Sequence, residues 1–145
     1  MRAFETEQPV ILLVDDNEDD LKLIRRAFER AGVRYRIQSV SSGIEAVAYL
    51  SGDAPFGDRF KYPLPVLVLL DIKMPAMDGF DVLQWIRQQD EFERLCVVML
   101  TSSDEIKDVN QAYRLGASSF LVKPLDFSNA AELSHSLNLL LSKAR

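Results

Sequence analysis

Val66-Leu67-Val68-Leu69-Leu70-Asp71 is a run of five apolar residues that ends abruptly on an acid. A strand that is apolar at every position, rather than at every second one, is covered on both faces. Three more runs are nearly continuously apolar: Val-Ile-Leu-Leu-Val at 10–14, Cys-Val-Val-Met-Leu at 96–100 and Ser-Ser-Phe-Leu-Val at 118–122. A fifth, Tyr-Arg-Ile-Gln-Ser-Val at 35–40, alternates apolar with polar residues, as a strand at a sheet edge does. Helical stripes lie between the runs. Leu21, Ile24, Ala27, Phe28 and Ala31 recur at three and four and stop before Gly32. Ile44, Val47, Ala48 and Leu50 make a shorter stripe. Val82, Leu83 and Ile86 make a third, with Trp85 beside them. Ile106, Val109, Ala112 and Tyr113 make a fourth, stopped by Gly116, and Ala130, Leu133, Leu137, Leu140 and Leu141 a fifth. Strand and helix thus alternate five times. That pattern predicts an α/β fold, a five-stranded parallel sheet joined by right-handed crossovers with helices on both faces. An edge position for the second strand agrees with the flavodoxin-like order 2-1-3-4-5. Residues 51–65 carry Gly, Pro and Asp without periodicity and read as a surface loop.

The bulk numbers agree with one domain: 145 residues, 48% of them hydrophobic, with a net charge of −5. The acidic balance argues against a nucleic-acid or anionic-membrane binder, since both want a basic face. The single cysteine, Cys96, allows no internal disulfide and is expected to be a buried small hydrophobe. Acids follow within a few residues of Met1, so the N-terminus does not read as a signal peptide. No stretch approaches the roughly 20 apolar residues that span a bilayer. A cytoplasmic chain is expected, with residues 1–8 as an N-terminal tail and 9–145 as the domain.

The polar residues at the strand ends form a set. Asp15 and Asp16 follow the first run, Asp71 the third, Thr101 the fourth, and Lys123-Pro124 the fifth. All fall at the carboxyl ends of parallel strands, where open α/β sheets bind ligands at the point at which strand order reverses. Three neighbouring carboxylates repel unless a cation joins them. Magnesium is hard and prefers oxygen ligands. Asp16 and Asp71 are expected as direct ligands, Asp15 behind them or water-bridged, and the Lys73 backbone carbonyl as a further oxygen. Lys123 would balance the charge, and Thr101 offers a hydroxyl donor. Such a site suits phosphoryl transfer, which needs positioning and charge neutralisation, with an aspartate as acceptor.

The segments Val10-Ile-Leu-Leu-Val-Asp-Asp16, Leu69-Leu-Asp-Ile-Lys-Met-Pro-Ala-Met-Asp-Gly79, Met99-Leu-Thr-Ser102 and Gly116-Ala-Ser-Ser-Phe-Leu-Val-Lys-Pro124 resemble the receiver domain of two-component response regulators. The resemblance runs from Val10 to the last helix, so 9–145 would be the receiver domain. It implies that Asp71 takes a phosphoryl group from a phosphohistidine of a sensor histidine kinase, and that Asp15 and Asp16 form the acidic pocket, with Asp16 holding Mg2+. Thr101 and Lys123 would pair with phosphoryl oxygens, and the Lys123–Pro124 bond would be cis. Phe120 matches an aromatic that turns inward on activation, biasing the surface of helix 4, strand 5 and helix 5 that a protein partner reads. The loop 51–65, Tyr49-Leu50 and Ala112-Tyr113-Arg-Leu-Gly-Ala117 are similar to single-domain regulators of phytochrome-type sensor kinases, some of which pair through that surface. A homodimer of this kind is an expectation here.

Other readings stay beside these. Asn17 with Asp20 offers a helix cap, and Glu18, Asp19 and Asp20 read as solvated acids at a helix start. Asp78-Gly79 reads as a turn into the third helix, and His135 as a surface residue. A magnesium phosphohydrolase of the haloacid dehalogenase kind needs a second acid two residues after its nucleophile, where this chain has Lys73. That lysine is expected to alter the lifetime of an acyl phosphate. A scaffold without phosphoryl chemistry is disfavoured by the complete set of site residues, and dinucleotide binding by the lack of a Gly-x-Gly-x-x-Gly after the first strand. Only about twenty residues follow Pro124, room for one helix. The output is therefore expected to be another protein, not an attached DNA-binding domain.

Overall fold

The structure is a computed structural model that describes residues 8–32, 34–102, 106–123, 125 and 130–143. The elements run β1 (Val10–Val14), α1 (Glu18–Ala31), β2 (Arg36–Val40), α2 (Gly43–Ser51), β3 (Leu67–Asp71), α3 (Gly79–Gln88), a single 3-10 turn (Asp90–Phe92), β4 (Cys96–Thr101), α4 (Ile106–Arg114), β5 (Ser119–Val122) and α5 (Ala130–Lys143). The strands form one parallel sheet in the order β2-β1-β3-β4-β5, as the sequence predicts.

Strand alternation sorts the core into two layers. Leu12, Val14, Val68, Leu70, Val97 and Met99 pack against α2 and α3 on one face. Ile11, Leu13, Leu67, Leu69, Val98 and Leu100 pack against α1 and α5 on the other. Every residue of β1, β3 and β4 is buried, which is why these strands read as unbroken apolar runs. Cys96 is buried and its thiol donates to the Leu140 carbonyl at 3.2 Å. β2 is half-exposed, in keeping with its edge position. β5 has the same character although its run is apolar, because it forms the opposite edge.

Two helical stripes differ from expectation. In α2 the buried residues are Gly43, Ala46, Tyr49 and Leu50, while Ile44 is 62% exposed. This helix is apolar nearly all round, so spacing alone did not set its phase. The Tyr49 ring sets it, lying inward with its hydroxyl donating to the Pro63 carbonyl at 2.8 Å. In α4 only Ala112 is buried, leaving Ile106 74% and Tyr113 46% exposed. Ser51, expected in the loop, is the last residue of α2, and the loop 52–65 that follows has no regular element but is tightly held. Arg59 donates to the Tyr49 and Leu50 carbonyls at 2.7 and 2.8 Å, closing the C-terminal end of α2, and Phe56 and Tyr62 pack on the Tyr49 ring.

The segment after β3 is fixed by close backbone approach. Asp71 is the last residue of β3, one residue further than the apolar run, because Ile72 N–H still bonds the Leu100 carbonyl across the ladder at 3.0 Å. Ile72 and Met74 are buried, and Gly79 N–H donates back to the Ile72 carbonyl at 2.8 Å. A Cβ on Gly79 would stand 2.3 Å from the Asp71 carbonyl oxygen and 2.8 Å from Ile72 Cα. Asp78 and Asp81 then start α3 with a reciprocal capping box, as the turn reading of Asp78-Gly79 anticipates. Gly79→Ala is expected to lower stability in urea unfolding by about 3 kcal/mol, since backbone atoms cannot yield as a side chain can. Gly57→Ala, whose added carbon meets only the Gly52 carbonyl at 3.4 Å, should cost less than about 0.5 kcal/mol.

Candidate functional site

β1 and β3 are adjacent, and their connections leave in opposite directions along the sheet. A cleft opens at their carboxyl ends. Asp15 follows β1 directly and is completely buried, whereas Asp16 is exposed. Asp71 ends β3 at 6% exposure and Thr101 ends β4 at 4%. Lys123 stands one residue beyond β5, where its backbone N–H donates to the Thr101 carbonyl at 2.7 Å.

The Lys123 side chain joins the rim. Its ammonium lies 2.8 Å from Asp20 Oδ2, 3.0 Å from Asp15 Oδ2 and 3.3 Å from Asp71 Oδ1. The other oxygen of Asp15 accepts the Asn17 N–H at 3.0 Å. Asp15, Asp16 and Asp71 each present an oxygen within 4.8 Å of the others. Burial pushes the Asp71 carboxyl up to about 6, the Asp15 charge adds to that rise, and the Lys123 ammonium opposes it. Burial alone would lower Lys123, but its bonds to Asp20 and Asp15 and the charge of Asp71 outweigh this, so it is held well above the usual lysine range.

Four of the predicted site residues, Asp15, Asp16, Asp71 and Lys123, are therefore brought together. Thr101 lies beside them, buried, at the end of the strand paired with β3. Lys73 is exposed in the loop that follows Asp71. Phe120 is half-buried in mid-β5, its ring edge-on to Tyr113 at 6.3 Å, and is not part of the carboxylate cluster. Pro124, and with it the Lys123–Pro124 peptide, lies outside the described residues. His135 is exposed, as expected. Asp20 is the residue that sequence reasoning missed. It reads as a solvated helix-start acid, yet it is the carboxylate nearest to Lys123.

An all-oxygen set of three carboxylates suits a hard divalent cation such as Mg2+, whose charge would relieve the repulsion that raises Asp71. A buried carboxyl flanked by a fixed ammonium has the parts that phosphoryl transfer onto a carboxylate requires. Among the described residues no helix is long and apolar enough to cross a membrane.

Comparison with known proteins agrees with this geometry. The probable methanogenesis regulatory protein FilR2 of Methanothrix harundinacea is 40% identical over 128 residues, 88% of this chain and 80% of its own. The phosphorylated cyanobacterial phytochrome response regulator RcpA superposes with a TM-score of 0.74 at 29% identity, covering 94% of this chain and 91% of its own. The Mn2+-bound form of response regulator Rcp1 does so with a TM-score of 0.72 at 28% identity, covering 92% and 90%. In Synechocystis, Rcp1 is 33% identical over 114 residues, 79% of this chain and 76% of its own. The response regulator receiver domain family matches residues 11–135, and the chain belongs to that family.

Proposed function

We propose that Asp71 is a phosphoryl acceptor and that its modification switches a protein-binding surface. The observation that carries this reading is the Lys123 ammonium held 3.3 Å from Asp71 and 3.0 Å from Asp15 at the rim of the sheet. An Asp71 carboxylate oxygen forms the new P–O bond while the P–N bond to the donor imidazole of a sensor histidine kinase breaks. Asp16 and Asp71 would hold Mg2+ directly, with Asp15 behind them and the Lys73 carbonyl adding an oxygen. Mg2+ when bound supplies charge neutralisation at the transferring group. Lys123 and the Thr101 hydroxyl each donate to a phosphoryl oxygen. The phosphorylated form of RcpA and the Mn2+-bound form of Rcp1 support both halves of this reading. RcpA also supports a phytochrome-like kinase as donor.

The domain at 9–145 would act in the cytoplasm on a downstream protein or relay, without binding DNA directly. Thr101 and Phe120 would carry the change to α4, β5 and α5. Ile106, Tyr113 and Val122 are exposed on α4 and β5, and this apolar stripe favours a homodimer through that face. Lys123–Pro124 would be the cis bond of the family.

Incubating the protein with Mg2+ and a small acyl phosphate should label about one site per chain and label none in Asp71→Asn. Multiple turnover would instead indicate a phosphohydrolase. The labelled sample should sediment as a dimer, and a monomeric mass would remove the pairing. Lys73→Asn should change the decay rate of the label, and an unaltered rate would mean that the Lys73 charge has no part in it.

The electrostatics make a separate expectation. The folded-state value of Asp71, about 6, lies above its ordinary 3.8. Ionising it therefore costs stability as pH rises through that window, on the order of 2–3 kcal/mol in full. In metal-free buffer at pH 8, Asp71→Asn should raise Tm by roughly 6 °C. The gain should shrink towards zero as pH falls to about 4. Thermal melts across pH check this, and a gain independent of pH would contradict it.

A further inference from the structure

Asp20 and Asp81 occupy equivalent places in two helices. Each is the third residue of its helix, after the caps Asn17 and Asp78. In α3 the pair closes on itself: Asp81 N–H donates to Asp78 Oδ1 at 2.9 Å, and Asp78 N–H donates to Asp81 Oδ2 at 3.1 Å. In α1 only the first half forms, with Asp20 N–H donating to Asn17 Oδ1 at 3.0 Å. The N–H of Asn17 is taken by Asp15 Oδ1 instead. The Asp20 carboxylate is thus released from capping and bonds Lys123 Nζ at 2.8 Å. The bonds form a closed ring: Lys123 to Asp15, Asp15 to Asn17, Asn17 to Asp20, and Asp20 back to Lys123.

An ammonium has three N–H donors, and Lys123 faces three carboxylates. Two of them, Asp15 and Asp71, belong to the trio able to hold a metal. Asp20 does not. When a divalent cation draws on the oxygens of that trio, Asp20 is the carboxylate left to the ammonium alone. The lysine stem is long and rich in rotamers, so presenting its head at one point is entropically costly without a fixed end. Asp20 sits in the first turn of α1, where the helix dipole favours a negative charge, and its backbone is tied by the Asn17 cap.

We infer that Asp20 is a positioning residue: it holds the Lys123 ammonium in the pocket while the metal occupies the other carboxylates, so that one N–H is aimed at the phosphoryl oxygen arriving at Asp71. The inference rests on the reading of Asp71 as acceptor. The N–H now on Asp71 Oδ1 at 3.3 Å can then pass to the phosphoryl oxygen with the bond to Asp20 kept.

The test uses the full chain with Mg2+ and a small acyl phosphate, comparing the wild type with Asp20→Ala, Asp20→Glu and Asp71→Asn. Asp20→Ala should slow labelling at saturating donor and saturating Mg2+ by roughly tenfold, within the roughly hundredfold that a misplaced group can cost. Calorimetric titration with Mg2+ alone should give the same affinity in Asp20→Ala as in the wild type. Asp20→Glu, which keeps the carboxylate, should recover most of the rate, which a role confined to helix stability would not require. A rate equal to or above the wild-type value in Asp20→Ala would overturn the inference, the latter meaning that Asp20 restrains Lys123. A loss traced to weakened Mg2+ binding would overturn it too, placing Asp20 in the metal site. Wild-type protein that takes no label would sink the Asp71 reading and this inference together, whereas label in the wild type at an unchanged Asp20→Ala rate would sink this inference alone.

Discussion

Carboxylates gathered at the end of a buried sheet repel one another, and the site is organised around that repulsion. Asp15 is wholly buried, Asp71 nearly so, and Asp16 completes a trio whose oxygens lie within 4.8 Å. One ammonium from Lys123 serves two members of the trio and Asp20 besides. A single positive charge cannot neutralise that many negative ones, so charge demand remains at the rim. It is expressed at Asp71, pushed up to about 6 by burial first and the Asp15 charge second. A divalent cation is the species that would meet this imbalance. In the proposed reaction the cation would relieve it, and the phosphoryl group would bring new oxygens to the ammonium already there.

Such repulsion would disperse the acids if the backbone could yield, and the fold denies it that freedom. Asp15 and Asp71 continue adjacent strands buried on both faces. Past Asp71 the chain is pinned by buried Ile72 and Met74 and by Gly79, which sits against the Asp71 carbonyl too closely for any side chain. Gly43 in α2 plays a similar part, since its Cβ would lie 2.4 Å from the Met77 carbonyl oxygen. Two glycines thus let α2 and α3 close on the loop that carries Lys73, and packing energy spread over two core layers holds charges that would otherwise separate.

What could be read in the sequence follows the same physics. Strands β1, β3 and β4 are visible because burial on both faces keeps them apolar up to their carboxyl ends, and Asp15, Asp71 and Thr101 at those ends stand out for that reason. α2 was out of phase because a helix apolar nearly all round carries no periodic signal, and an aromatic ring with a distant carbonyl partner decided which side faces inward. The order in the loop 52–65 depends on Arg59 reaching backbone carbonyls ten and nine residues before it, and no pattern of residue types announces such bonds. Asp20 was hidden by its own neighbourhood. Asn17-x-x-Asp20 is a sound capping pattern, half of it forms, and only the capture of the Asn17 N–H by Asp15 releases the other half for Lys123.

The contrast between α1 and α4 connects the pocket to the far face. α1 buries Leu21, Ile24, Phe28 and Ala31 and bears Asp20 on its first turn, so it offers a rigid post for the Lys123 head. α4 buries Ala112 alone among its described residues, and its Ile106 and Tyr113 are exposed. The strands between them are linked at the rim, where Lys123 N–H bonds the Thr101 carbonyl and Thr101 pairs with Val122. A change in the bonds of Lys123 or Thr101 therefore acts between one well-buried helix and one lightly buried helix. The lightly buried one costs less to move, because fewer buried contacts oppose its displacement. Asymmetric packing around a shared pair of strand ends would thus give the proposed switch its direction, from the carboxylate cluster towards α4 and β5.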